Sequence, residues 1–136
     1  MLKRFLDAQK FSYEQALREI KSGKKRTHWI WYIFPQLKGL GHSFYADLYG
    51  INGMKEAQEY IADPVLRSRL AEISQALLEV KGLTAEEILG SVDAMKVRSS
   101  MTLFRAAAPD MEIFDYVLKK YYNGEPDRQT EKMLEI

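Results

Sequence analysis

A chain of 136 residues with 46% hydrophobic and 29% charged residues suits one folded domain and argues against disorder. Twenty basic against 19 acidic residues leave a net charge of +1, so no overall field draws the protein to nucleic acid or to a membrane, and any anion site has to be local. The absence of cysteine excludes disulfides, thiolate nucleophiles and cysteine-bound metal, and Asp7 interrupts the N-terminal segment before a signal region forms. A cytoplasmic protein folded as a single domain over residues 1–136 is the expectation.

Residues 2–9 suggest a short turn of helix. Ser12-Tyr13-Glu14-Gln15 has the capping-box pattern, with Phe11 and Ala16 as the staple, and predicts a helix from Tyr13 through Leu17 and Ile20 to a stop at Gly23. Next comes Thr27-His28-Trp29-Ile30-Trp31-Tyr32-Ile33-Phe34-Pro35-Gln36, which carries both tryptophans and no polar stripe, so other elements should enclose it and bury both indoles. Thr27 can cap a helix from His28 to about Phe34, where Pro35 ends it. These residues also suit a strand, but no second alternating segment is present to pair with one, and the helix is preferred.

Gly39 and Gly41 form a turn, after which Ser43 can cap a short helix carrying Phe44, Tyr45, Leu48 and Tyr49. Asn52-Gly53 marks another turn, followed by a helix from Met54 to Ala62. Asp63 and Pro64 open the longest amphipathic helix, with Leu66, Leu70, Ile73, Leu77 and Val80 on one face. Gly82 stops it. Thr84-Ala85-Glu86-Glu87 is a second capping box, and Gly90 closes that short helix.

From Ser91 as cap, a helix over 92–108 places Ala94, Val97, Met101, Phe104 and Ala108 together, while Val92, Lys96, Ser99, Ser100 and Leu103 share another side too apolar to be plain surface. A helix flanked on both sides is central. Asp110 should cap a helix to about Tyr121, ended at Asn123-Gly124, and Pro126 starts a last short helix with Asp127, Thr130 and Leu134. The pattern is all-α throughout.

Candidate chemistry collects at three places. His28 beside the tryptophans could move a proton or donate to an oxyanion, although a lone histidine is commonly just packed. Thr27, behind Lys24, Lys25 and Arg26, could offer a helix start to a phosphate, and Gly39, Gly41 and Ser43 could form an amide nest; each also describes an ordinary turn. Lys96, Ser99 and Ser100 fall at i, i+3 and i+4, so an ammonium and two hydroxyls share a helix face. The ammonium needs either Asp93 or a ligand anion as partner, and a serine nucleophile with a lysine base is conceivable by residue type. No His, Asp and Glu grouping has metal-ligand spacing, so no metal and no cofactor are expected.

The blocks His28 to Gln36, Gly39 to Ser43, Asp63 to Leu70, Asp93 to Phe104 and Gly124 to Thr130 together resemble the domain of unknown function 1810 family, in order and with similar spacing. The resemblance implies a small, mainly helical, mainly bacterial protein with no established activity. Its pattern singles out His28, Gln36, Ser43, Asp93, Lys96, Ser99, Ser100, Thr102, Asp127 and Thr130.

These readings converge on a pocket for a small anionic, phosphate- or nucleotide-like ligand between helix 28–34 and helix 92–108, with hydrolytic or transfer chemistry open. His28, Lys96 and Ser99 are its candidate catalytic residues, and Trp29, Gln36, Gly39, Gly41, Ser43, Ser100 and Thr102 its candidate binding residues. The alternatives are a protein–protein interaction module without catalysis and a binder of single-stranded nucleic acid, the latter disfavoured by the near-neutral charge.

Overall fold

Every regular element in the computed structural model, which describes residues 2–136, is helical. The helices are α1 (Lys3–Lys21), α2 (Ile30–Ile33), α3 (Phe44–Leu48), α4 (Gly53–Ala62), α5 (Pro64–Glu79), α6 (Ala85–Leu89), α7 (Ser91–Ala107), α8 (Ile113–Tyr122) and α9 (Arg128–Leu134). None of them, among the described residues, is long and apolar enough to cross a membrane.

Helix α7 is the central element that its two-sided pattern predicts. It packs against α2, α4, α6, α8 and α9, and Ala94, Val97 and the unbroken run Ser99 to Phe104 are buried. Phe104 packs tilted at 5.0 Å against Tyr60 of α4 and at 6.0 Å against Phe114 of α8, which ties three helices at one ring. Helix α5 lies against α1, α4 and α8 and starts as its sequence indicates, with Asp63 Oδ1 accepting from the Val65 and Leu66 amides at 3.0 Å each. The Thr84 capping box also forms, in both directions.

Four boundaries differ from the local signals. The Ser12 box caps nothing, because α1 runs unbroken through it and Phe11 is 85% exposed rather than stapled. Phe5, Gln9, Tyr13, Ala16 and Ile20 make one buried stripe, and burying it continuously outweighs a cap at mid-length. The polar member Gln9 hid this stripe in the sequence; its amide donates to Tyr32 O at 2.7 Å and to Tyr60 Oη at 2.9 Å. The second difference is at Thr27, where the helix starts at Ile30 without a side-chain cap, for a reason given below. The third is Asp110, which lies in a turn closed by the Met111 amide on Ala108 O, so α8 begins at Ile113. Ser91 likewise falls in the first turn of α7, with Gly90 in the cap position.

The expectation that both tryptophans are enclosed holds for Trp29, which is 1% exposed, and fails for Trp31, which is only half-buried with Tyr32 beside it. Ile30, Ile33 and Phe34 take the inward positions of this four-residue helix. Its outer face is left to the aromatics.

After α2, residues 36–38 cross residues 50–52 through Ile51 N to Gln36 O and Lys38 N to Ile51 O, 2.9 Å each, closing a loop that holds α3. The crossing needs Gly50. A Cβ there would lie 2.6 Å from Lys38 Cα and 2.8 Å from Ala46 O, which are backbone atoms with no freedom to move aside. Gly50→Ala should therefore cost about 1–3 kcal/mol in urea unfolding. A change within about 0.5 kcal/mol would mean that the crossing yields.

Candidate functional site

Two ammonium groups and one carboxylate form a charge cluster that sits against both tryptophans. The loop after α1 is held to α6 by the Lys25 amide on Ile88 O at 2.7 Å, which turns the Lys25 side chain inwards until 7% of it is exposed. There Lys25 Nζ pairs with Asp93 Oδ2 at 2.8 Å, donates to Thr27 O at 2.6 Å and stands 5.1 Å from the Trp29 ring centre. Asp93, in the first turn of α7, shares its other oxygen with Lys96 Nζ at 3.3 Å, and Lys96 lies 4.6 Å over Trp31. One carboxylate serves two lysines, so the cluster carries one positive charge in excess, and the longer contact is the one to Lys96.

Lys96 opens onto a groove of about 320 Å³ lined by Gln36, Leu40, Gly41, Val92, Met95, Ser99, Asp127 and Gln129. It runs between the 36–41 turn, α7 and the start of α9. Helix α9 is seated there by the Asp127 amide on Thr102 Oγ1 at 2.8 Å and by Arg98 Nε on Glu125 O at 3.0 Å. A second groove, of about 510 Å³, lies beside α1 and is lined by Asp7, Ala8, Phe11, Ser12, His28, Trp31, Tyr32, Tyr45 and Tyr49. The two are separated by Trp31, Tyr45 and Tyr49, packed ring on ring at 5.1 and 6.1 Å, with a gap of about 10 Å³ that reaches Gln36 and Lys96. Such a gap holds roughly one water.

This geometry divides the residues singled out in the sequence. Lys96, Ser99, Gln36 and Gly41 meet in the first groove. His28 is exposed and lines the second, on the far side of the aromatic wall. Ser99 Oγ donates to Met95 O at 3.2 Å and not to Lys96, so the lysine–serine pairing is not made. Ser100 is fully buried without a hydrogen-bond partner and lines neither groove. A long lysine stem can carry its charge out from such a face, whereas a serine hydroxyl one turn on cannot reach. Thr102 is structural here: it donates to Arg98 O at 2.8 Å and accepts the Asp127 amide. Ser43 caps α3 through the Ala46 amide at 3.1 Å, Gly39 faces Met133 at a φ of +101°, and Trp29 packs in the core beneath Lys25.

The helix-start anion site proposed at Thr27 is already filled, by the chain's own Glu19. Its Oε1 accepts from Arg26 N at 2.8 Å, Thr27 N at 3.0 Å and Trp29 Nε1 at 2.8 Å, and its Oε2 from Thr27 Oγ1 at 2.7 Å and Gln15 Nε2 at 2.8 Å. Burial alone would raise this carboxyl, but the donated hydrogen bonds reverse the effect and hold it at about 2. Here is why Thr27 caps no helix: its amide and hydroxyl both face Glu19. Glu19 was not legible as a site residue, since one glutamate on a helix carries no motif. Asp127 and Gln129 were also missed as groove residues, and the signal available for them was the matched block from Gly124 to Thr130. Among the described residues no group of His, Asp and Glu that could hold a metal stands together.

The profile of the family described as "Protein of unknown function (DUF1810)" matches residues 1–134. A solved structure, that of the conserved hypothetical protein Rv1873 from Mycobacterium tuberculosis, is similar at 44% identity with a TM-score of 0.97, over 99% of this chain and 96% of that one. No curated protein matches the chain.

Proposed function

The chain belongs to the DUF1810 family, whose function is unknown, and on that premise we propose that it binds a small anionic ligand, a cytoplasmic metabolite bearing phosphate, in the groove beside Lys96. The observation that carries this reading is the sharing of Asp93. With Lys25 at 2.8 Å and Lys96 at 3.3 Å on one carboxylate, an arriving anion completes the pairing of an ammonium that is partly shielded from water against Trp31. Binding rather than catalysis is what the side chains support, because Ser99 is bonded to a backbone carbonyl and His28 faces the other groove.

Lys96→Met tests the reading, since it keeps the stem and deletes the charge. Binding of inorganic phosphate or pyrophosphate, followed by calorimetry, should weaken by about 2–5 kcal/mol, roughly thirtyfold or more. Stability should stay within about 1 kcal/mol, because the Lys25–Asp93 pair remains. A loss of several kcal/mol in stability with no change in binding would make Lys96 a scaffold residue.

A second reading has one observation behind it. Phe11 and Tyr45, 85 and 48% exposed, line the larger groove, and Phe44 and Leu48, 75 and 41% exposed, share helix α3 with Tyr45, as a protein-docking surface would have it. Loss of a protein partner in Phe11→Ser and Phe44→Ser variants that keep anion binding would favour it. The basic run 24–26 gives less to a nucleic-acid reading, because Lys25 is turned into the Asp93 pair.

A further inference from the structure

Resting on the reading above, we propose that the ligand of the Lys96 groove is a phosphorylated sugar, its phosphate at Lys96 and its hydroxyls at Asp127, Gln36 and Gln129. The polar groups of this groove are of two kinds. Lys96 is a cation suited to an anion. Asp127 is a carboxylate whose Oδ2 is taken by Thr130 N at 2.9 Å and Thr130 Oγ1 at 2.5 Å, while its Oδ1 has no partner among the described residues. The side-chain amides of Gln36 and Gln129 likewise have no protein partner among the described residues, and each offers two N–H donors and a carbonyl acceptor.

A simple inorganic anion would use Lys96 and leave the rest idle. A molecule negatively charged at both ends would be repelled by Asp127. What fits all of it is a ligand with its negative charge at one end and neutral hydroxyl donors at the other, since a carboxylate oxygen has two lone pairs for O–H groups and a carboxamide can both give to and accept from them. Val92 and Met95, 65 and 69% exposed, join Leu40 as an apolar side against which the C–H face of a sugar ring can lie. At about 320 Å³ the groove is of small-metabolite size rather than ion size.

Sugar phosphates and nucleotides share this chemistry, and titration calorimetry separates them. The probes are inorganic phosphate, ribose 5-phosphate, 2-deoxyribose 5-phosphate and adenosine 5′-monophosphate. Ribose 5-phosphate should bind about tenfold or more tightly than phosphate, with the deoxy sugar between them. Gln129→Leu and Asp127→Asn should remove that gain while leaving phosphate itself bound as well or slightly better; asparagine remains a competent helix cap, so α9 stays seated. A further gain with the nucleotide would identify a nucleoside phosphate as the source, and equal affinity a free sugar phosphate. If phosphate binds in a Lys96-dependent way and the sugar adds nothing, the sugar assignment is wrong and the anion site stands. If none of the four binds in a Lys96-dependent way, both fall.

Discussion

Glu19→Ala should destabilise the protein by about 3–5 kcal/mol in denaturant unfolding, among the largest effects of any single polar substitution. The carboxylate is 3% exposed and collects the Arg26 and Thr27 amides, the Thr27 hydroxyl and the Trp29 indole, so its loss strands a buried N–H and releases the loop that delivers Lys25. Glu19→Gln, which keeps one acceptor and nearly the same volume, should fall between. The same group gives a signature in acid. Its folded value of about 2 lies below the ordinary 4.5, so the unfolded chain takes up the proton first; the stabilisation is complete above about 4.5 and disappears as pH falls towards 2. Glu56 behaves alike, held at about 2 chiefly by hydrogen bonds from the Arg4 guanidinium against the opposing effect of burial. Each accounts for about 3 kcal/mol across that window, and Glu19→Gln should remove its share. An Ala variant within about 1 kcal/mol of the parent would show that the loop is held by something else.

The two tryptophans should separate cleanly. Trp29→Ala removes a 1% exposed indole packed at 6.3 Å against Phe34 and should cost about 3–5 kcal/mol, whereas Trp31→Ala, at a half-buried position, should cost about 1–3 kcal/mol. In single-tryptophan variants made with phenylalanine, acrylamide should quench Trp31 readily and Trp29 poorly. Equal quenching would contradict the burial assigned to them. Phosphate should perturb the emission of Trp31 and leave Trp29 nearly unchanged, because Lys96 lies over the Trp31 ring.

Much of the architecture was written in short-range pattern. Asp63-Pro64, the Thr84 box and the glycines at 23, 82 and 90 act within one helical turn, so their meaning does not depend on the rest of the fold. The Ser12 box has the same grammar and came to nothing, because a buried stripe through Gln9 stabilises one long helix more than a cap stabilises two short ones. The Lys96 groove was visible in part. Lys96, Ser99 and Gln36 could be paired with Asp93 or placed near the aromatic segment from spacing alone, while Asp127 and Gln129 reach the groove through Thr102, 25 residues from Asp127, and no local spacing encodes that contact.

From sequence alone, then, come the all-α class, the central role of the helix read as 92–108 and the placing of Lys96 within reach of Asp93, since each follows from residues within a few turns of one another. Tertiary structure decided the rest. It decided that Glu19 fills the anion site at Thr27, that Lys25 competes with Lys96 for Asp93, and that Trp31, Tyr45 and Tyr49 part His28 from the lysine. These depend on which buried donors and charges lack a partner once the helices have packed, and the low-dielectric interior makes that pairing decisive only after water has left.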